Sequence, residues 1–225
     1  MGHRTLIPML YGLEERLADE MGLTGLPKEP IFCIGGLVGT GKNIYAEGLK
    51  GYLSEVYRLE LEVSTSGEIF RKLAREKGFG SISEYIASIE GPEVDISADS
   101  RALENALRDG GIYVGRITPG TIGGWGYTIG LKTDPAVVAK RLKADPKRDE
   151  HNMGLDEIEA GVRKRDADDL ERYMRVYGVD FLSLMAGFDL MIDTTHLSEE
   201  NVQETIDRLS GEWLERNYGY SPTLR

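Results

Sequence analysis

Residues Gly36 to Asn43 read GLVGTGKN and follow directly on the apolar run Ile31, Phe32, Cys33, Ile34. A strand running into a glycine-rich turn and then into a helix start is the setting that a phosphate-binding loop requires. Glycines at 36, 39 and 41 let the backbone curl around an anion with successive N–H groups aimed at it, where a Cβ would obstruct the approach. Lys42 supplies a point charge for the β and γ phosphates, and the helix expected from about Gly41 to Val56 brings the positive end of its dipole to the same place. The usual pattern GxxxxGK[ST] closes on a hydroxyl that ligates magnesium. Here that position is Asn43, whose carboxamide oxygen is also a hard ligand.

A chain of 225 residues suits one α/β domain with an appendage better than two full domains. Its 27 Lys+Arg against 38 Asp+Glu give a formal charge of −11, which argues against nucleic acid or an anionic membrane as the main partner. The single cysteine, Cys33, excludes an internal disulfide and reads as a small buried hydrophobe in a reducing compartment. No apolar run approaches the roughly 20 residues of a membrane-spanning helix, and the N-terminus lacks a basic stretch followed by an apolar core. A cytoplasmic location is the expectation.

Leu6, Met9, Leu10, Leu13, Leu17 and Met21 recur at helical spacing over residues 3 to 22, with Pro8 starting or breaking the helix. Leu59, Leu61 and Val63 alternate with charged residues as a second strand, after which Ser66 is a candidate cap for a helix over Glu68 to Lys77. Short helical runs follow from Ser83 to Ile89 and from Val94 to Leu107, and Ile112 to Val114 reads as the third strand. Tyr127 to Leu131 is the fourth strand, Asp134 with Pro135 caps a helix through Leu142, and Lys143 to Asn152 holds no large apolar residue. That polar stretch is a lid candidate or an ordinary surface loop. A long helix is expected from Leu155 to Tyr177, a fifth strand from Phe188 to Ile192, and a closing helix from Glu199 to Leu209, with a tail from Asn217. Five apolar strands alternating with helices imply an α/β P-loop fold, a parallel sheet with helices on both faces. By position alone Arg71 lies at the mouth of the loop or is a solvated charge, and Arg165, Asp169 and Arg172 share a face of the long helix whose bland reading is an exposed, salt-bridged surface.

Four segments resemble the cytidylate kinase family of nucleoside monophosphate kinases, especially its compact archaeal-type members. The first is the P-loop. The second is Ser66, Gly67, Glu68, Ile69, Phe70, Arg71, similar to the family's SGxxxR segment. The third is Gly115 and Arg116 followed by Gly120 and Thr121, which looks like its GRxxGT turn with one residue inserted. The fourth is Arg165, Asp166, Asp169, Arg172, similar to its RDxxDxxR helix. Asp95, Asp99 and Arg101 resemble the family's middle helix. These matches keep the family's order over residues 30 to 208, and they divide the chain into an N-terminal helical extension (1–28), a kinase-like domain (29–210, lid about 143–153) and a C-terminal tail (211–225). Asn43 departs from the family's hydroxyl, and Val114 stands where many relatives carry an acid.

The resemblance implies ATP and Mg2+ as cofactors and transfer of the γ-phosphoryl group to CMP or dCMP, a small-molecule nucleotide. Gly36, Gly39, Thr40, Gly41, Lys42, Asn43 and Ile44, with Arg148 from the lid, are the expected ATP contacts, and Asn43 the metal ligand. Ser66, Gly67, Arg71, Asp95, Arg101, Gly115, Arg116, Arg165, Asp169 and Arg172 are the expected acceptor contacts, with Arg165 and Asp169 at its base or sugar. Lys42, Arg116, Arg141 and Arg172 are the expected catalytic set, Arg141 and Arg148 closing with the lid over the transferring group. Two other readings stay open: a nucleotide-binding sensor or assembly module with little catalysis, and a P-loop kinase of another phosphorylated acceptor. The chain is expected to work as a monomer or homodimer, the N-terminal helix being a candidate contact.

Overall fold

The computed structural model describes residues 4–80, 84–85, 92–146 and 148–223. Five strands, β1 (Ile31–Gly36), β2 (Val63–Thr65), β3 (Gly111–Val114), β4 (Tyr127–Lys132) and β5 (Leu190–Asp193), form one sheet in the order β2-β3-β1-β4-β5, and every neighbouring pair is parallel. The crossovers are α1 (Tyr11–Met21, ahead of β1), α2 (Lys42–Tyr57), α3 (Ser66–Glu76), α4 (Glu93–Asp109), the short α5 (Thr118–Ile122), α6 (Pro135–Ala144), α7 (Leu155–Tyr177), the short α8 (Phe181–Met185) and α9 (Glu199–Tyr218).

Alternation along β1 explains the two cores. Phe32 and Ile34 face α2 and α9, meeting Tyr45, Leu49, Leu53, Val202, Ile206 and Leu214. Ile31 and Cys33 face the opposite way, toward Leu103, Ala106 and Leu107 of α4, Leu17 of α1 and Trp125. Burial on both faces is why this strand is a continuous apolar run, and the buried Cys33 thiol is pushed well above its usual range. In register, Ile34 lies opposite Val114 and Thr65 opposite Val114 on its other side. The carboxyl ends of β1, β2 and β3 therefore open together, where ligands bind in sheets of this kind.

Several elements differ from the sequence expectation. β2 begins at Val63, because Leu59 and Leu61 are buried on the approach to the sheet without joining its ladder. Thr65, not Ser66, caps α3, in a reciprocal capping box with Glu68. That frees Ser66 Oγ to bond Val114 O and Thr118 Oγ1, each at 3.3 Å. The helix expected over Ser83 to Ile89 lies outside the described residues except at Glu84 and Tyr85, which are helical. β5 starts at Leu190 and is an edge strand, while Phe188 packs with Ile7, Phe181 and Met185 in a separate cluster. α9 continues to Tyr218, past the expected end at Leu209. Trp213, Tyr218 and Tyr220 pack on the core, and Thr223 donates from both N and Oγ1 to Val56 O at 2.7 Å. The C-terminal segment is thus docked through Thr223.

The N-terminal segment is docked as well. Pro8 opens a 3-10 turn (Pro8–Leu10) that leads into α1. Glu14 is buried, and its Oε1 accepts from Arg4 N (2.7 Å), Thr5 N (2.9 Å) and Trp125 Nε1 (2.6 Å). Replacing Glu14 with alanine orphans three donors and is expected to cost about 3 kcal/mol of stability, read by denaturant unfolding. A loss below about 1 kcal/mol would show that water re-satisfies them.

Candidate active site

The loop after β1 has the backbone its glycines foreshadow, with φ of 137° at Gly36, 69° at Gly39 and 82° at Gly41. Lys42 is the first residue of α2, and its Nζ reaches back to donate to Gly36 O (3.0 Å), Leu37 O (2.6 Å) and Thr40 Oγ1 (3.3 Å). The ammonium thus sits inside the curl. Burial there pushes it down to about 7, with the Arg116 charge adding to the effect and Asp166 opposing it. The loop is tied to α7 by Val38 N donating to Asp166 Oδ1 at 3.0 Å.

On one side of Lys42 lies a cleft of about 510 Å³, walled by the start of α3, by α4, by Val114 to Ile117 and by α7. Arg71 enters it with no hydrogen bond or ion pair among the described residues. Arg116 is ion-paired with Asp169, and Arg172 is held bidentately by Asp95, Nε at 2.9 Å and Nη2 at 2.5 Å. Gly115 permits this crowding, since a Cβ there would stand 2.0 Å from Ser66 Oγ and 2.2 Å from Thr118 Oγ1. Deeper in, Tyr177 donates its hydroxyl to Asp99 Oδ2 beside Tyr173. Burial and the neighbouring Asp95 push Asp99 up to about 7, while the Tyr177 bond and Arg172 pull the other way.

On the other side, a cavity of about 460 Å³ is bounded by Gly39 to Gly41, Ile44, Tyr45, Arg141, Arg148 and Leu197. A third space, about 390 Å³, runs over the loop itself past Arg116, Arg148 and Arg165. Lys42, Asn43 and Arg116 line both this space and the cleft, so the two ends meet at those three side chains.

Of the expected acceptor residues, Ser66, Gly67, Arg71, Asp95, Gly115, Arg116, Asp169 and Arg172 converge on the cleft. Arg165 does not. It lies over the loop and bonds Glu150 at 3.3 Å, because α7 crosses the loop and successive turns of one face look into different cavities. Arg101 is also outside the cleft, two residues round α4 from Asp99 and engaged by Glu76 and Glu104. Arg141 is anchored to Thr194, by Nη1 to Oγ1 (3.1 Å) and Nη2 to O (2.8 Å), and lines the donor-side cavity but neither of the spaces that meet at the junction. Arg148 pairs with Asp145 at 3.7 Å and lines both donor-side spaces.

The polar segment after α6 contains a 3-10 turn (Asp149–Asn152) and is pinned to that helix. Lys143 Nζ donates to Met153 O at 2.6 Å, and His151 Nδ1 lies 2.7 Å from Lys143 O. Sequence reasoning gave no role to Asp166, Asp99 or Tyr177. The signal that pointed to Asp99 was the resemblance of Asp95, Asp99 and Arg101 to the family's middle helix, and the i, i+4 spacing of Asp95 and Asp99 sets both acids on one face of α4.

Asp99 makes stability depend on pH. Its folded value lies above the carboxyl's ordinary 3.8, so the stability it contributes is complete below about 4 and is lost as pH rises through about 7. Asp99→Asn removes that dependence. The variant's melting temperature relative to the native chain is expected to rise between pH 4 and pH 8, and a constant difference would refute the assignment.

No protein-family model matches the chain. It is 32% identical to the cytidylate kinase of Methanothrix thermoacetophila over 169 residues, 75% of this chain and 91% of that protein. It is 29% identical to the cytidylate kinase of Ignicoccus hospitalis over 182 residues, 80% of this chain and 98% of that one. Among solved structures, a shikimate kinase from Bacteroides thetaiotaomicron superposes with a TM-score of 0.52 at 15% identity, covering 83% of this chain and 98% of that chain. An uncharacterized protein from Eubacterium ventriosum gives 0.60 at 14% identity over 82% and 99%. These structures share the fold. Among the described residues no helix is long and apolar enough to cross a membrane, and no group of three or more His, Cys, Asp or Glu is arranged to hold a metal ion.

Proposed function

The chain belongs to the cytidylate kinase family, an ATP-dependent nucleoside monophosphate kinase, and from that premise we propose that CMP or dCMP is its preferred phosphoryl acceptor. The observation that carries this reading is the meeting of a phosphate-binding loop and a separate arginine-lined cleft at Lys42, Asn43 and Arg116. Two phosphorylated ligands, one in each space, would bring their phosphates together there.

In this reading the loop amides and Lys42 hold the donor's β and γ phosphates, and Arg71, Arg116 and Arg172 hold the acceptor phosphate. An oxygen of the acceptor phosphate attacks the γ phosphorus in line, the bond to the β–γ bridging oxygen breaks, and ADP leaves. The acceptor is already an anion, so the protein's part is positioning and charge neutralisation, with no covalent intermediate. Asp169 and Asp95 hold Arg116 and Arg172 in the cleft before substrate arrives, which reduces the ordering that binding requires. Arg141 belongs to the donor-side cavity, Arg148 to both donor-side spaces, and Arg165 to the donor's phosphates.

Magnesium fits this site sparingly. Asn43 offers one neutral oxygen at the junction and Val114 none from its side chain, a set suited to an ion held mainly by phosphates and water. Bound there, it would neutralise charge on the transferring group. A cytoplasmic setting belongs to the same proposal.

Incubation with ATP and Mg2+ against CMP, dCMP, UMP, AMP and GMP tests it. CDP or dCDP is expected to form in preference to the other diphosphates. ATP binding with no acceptor phosphorylated would leave the fold standing and remove the kinase assignment.

A further inference from the structure

The inner wall of the acceptor cleft is a two-rung ladder between α4 and α7. Asp95 with Arg172 forms the outer rung, and Asp99 with Tyr177 the inner one. Asp95 and Asp99 are four residues apart on one helix face, so the rungs lie about 6 Å apart along it. The outer rung stands beside the arginines that suit a phosphate. The inner rung stands deeper, where the base of a nucleotide held by those arginines would lie.

The two oxygens of Asp99 have different surroundings. Oδ2 accepts from the Tyr177 hydroxyl, while Oδ1 has no hydrogen-bond partner among the described residues, on a side chain that lines the cleft next to Tyr173. Oδ1 is not among the side-chain oxygens that are both buried and unpaired, so with Oδ2 taken by Tyr177 it is the carboxylate oxygen left open to the cleft. The groups facing Asp99 are Asp95 from its own helix and Arg172, Tyr173 and Tyr177 from α7. No cation among the described residues is ion-paired with it, so a donor on the ligand is the natural partner of Oδ1.

We propose that Asp99 Oδ1 reads the acceptor base by accepting a hydrogen bond from its exocyclic amine, and that Tyr177 is the positioning residue that fixes which oxygen faces the cleft. The inference rests on the kinase reading above and deepens it. A cytosine ring offers such an amine at C4, whereas a uracil ring offers a carbonyl oxygen there, and two oxygen acceptors facing each other are left unpaired. An amine donating to the carboxylate also favours its ionised form, so binding draws the Asp99 carboxyl downward from about 7.

Tyr177 makes the consequence sharp. In Asp99→Asn the phenol hydroxyl still needs an acceptor and keeps the amide oxygen, so the NH2 group turns to the cleft. One isosteric change thus converts an acceptor into a donor. At pH 8, equilibrium binding of CMP and UMP, together with kcat/KM for each, is measured for the native chain and for Asp99→Asn. The CMP:UMP preference is expected to fall by about tenfold or more in the variant, through KM rather than kcat. In Asp99→Asn/Tyr177→Phe the amide is free to present either end, and the preference is expected to lie between the two.

A preference unchanged within twofold in a folded Asp99→Asn overturns the proposal. Should that variant lack a melting transition, Asp99→Ala decides with a CMP analogue bearing hydrogen in place of the 4-amino group. Loss of the amine is expected to weaken binding about tenfold in the native chain and not at all in Asp99→Ala, and equal losses in both overturn the assignment. A shifted binding preference without any phosphoryl transfer would uphold the base contact and remove the kinase reading, so the two fail separately.

Discussion

Lys42→Ala is expected to lower turnover by about a thousandfold or more while leaving the protein folded. The side chain spans the loop to two carbonyls and the Thr40 hydroxyl, in the space where donor phosphates would lie, and it lines both the donor-side space and the acceptor cleft. Loss of its charge removes one of the two cations, with Arg116, that line both spaces. Stability is not expected to fall, because the folded lysine is pushed down to about 7 from 10.5. The unfolded chain then binds more protons between those values, so native stability rises with pH across that window, and below 7 the full cost of burying the ammonium is present. The variant should lose that slope. Single-turnover rates and melting curves at pH 6.5 and 9.5 measure both effects, and turnover within tenfold of the native value would remove Lys42 from the mechanism.

Gly36→Ala should cost about 4 kcal/mol or abolish folding. Gly36 has φ +137°, and a Cβ there would stand 2.0 Å from Leu131 O and 2.9 Å from Leu131 C. Both atoms belong to the backbone of β4, and Gly36 pairs with Leu131 in the ladder, so relief requires the two central strands to part. Gly51→Ala is the control. It lies inside α2 with nothing within 4 Å of an added Cβ, and is expected to gain about 0.5–1 kcal/mol. Denaturant midpoints for the pair separate a loop glycine set by its neighbours from one that is merely tolerated. Equal effects at both positions would show that the loop relaxes freely.

The arginines show how far the sequence reading reached. Arg71, Arg116 and Arg172 line one cleft, because each follows a strand end or faces inward from α7, and those positions follow from local periodicity. Arg101, Arg141 and Arg165 do not join them. Their spacing is just as regular, but Arg101 points to Glu76, Arg141 to Thr194 and Arg165 to the loop side, according to which neighbour each helix crosses. β2 shows the same limit, since alternation at Leu59 and Leu61 reports burial whether or not the backbone joins a ladder.

What the sequence by itself determined is everything written in short-range spacing. That includes the glycine-rich turn with its lysine, the apolar strands and helical stripes that force a parallel α/β sheet, and the acidic balance that disfavours nucleic acid. What only the tertiary structure decided is the set of partners joined across long stretches of chain: Glu14 with Trp125, Asp166 with Val38, Asp95 with Arg172 and Asp99 with Tyr177. The physical reason is that a turn or a helix face depends on residues a few positions apart. A carboxylate's partner depends on strand order and on the angle at which helices cross, which no local pattern carries.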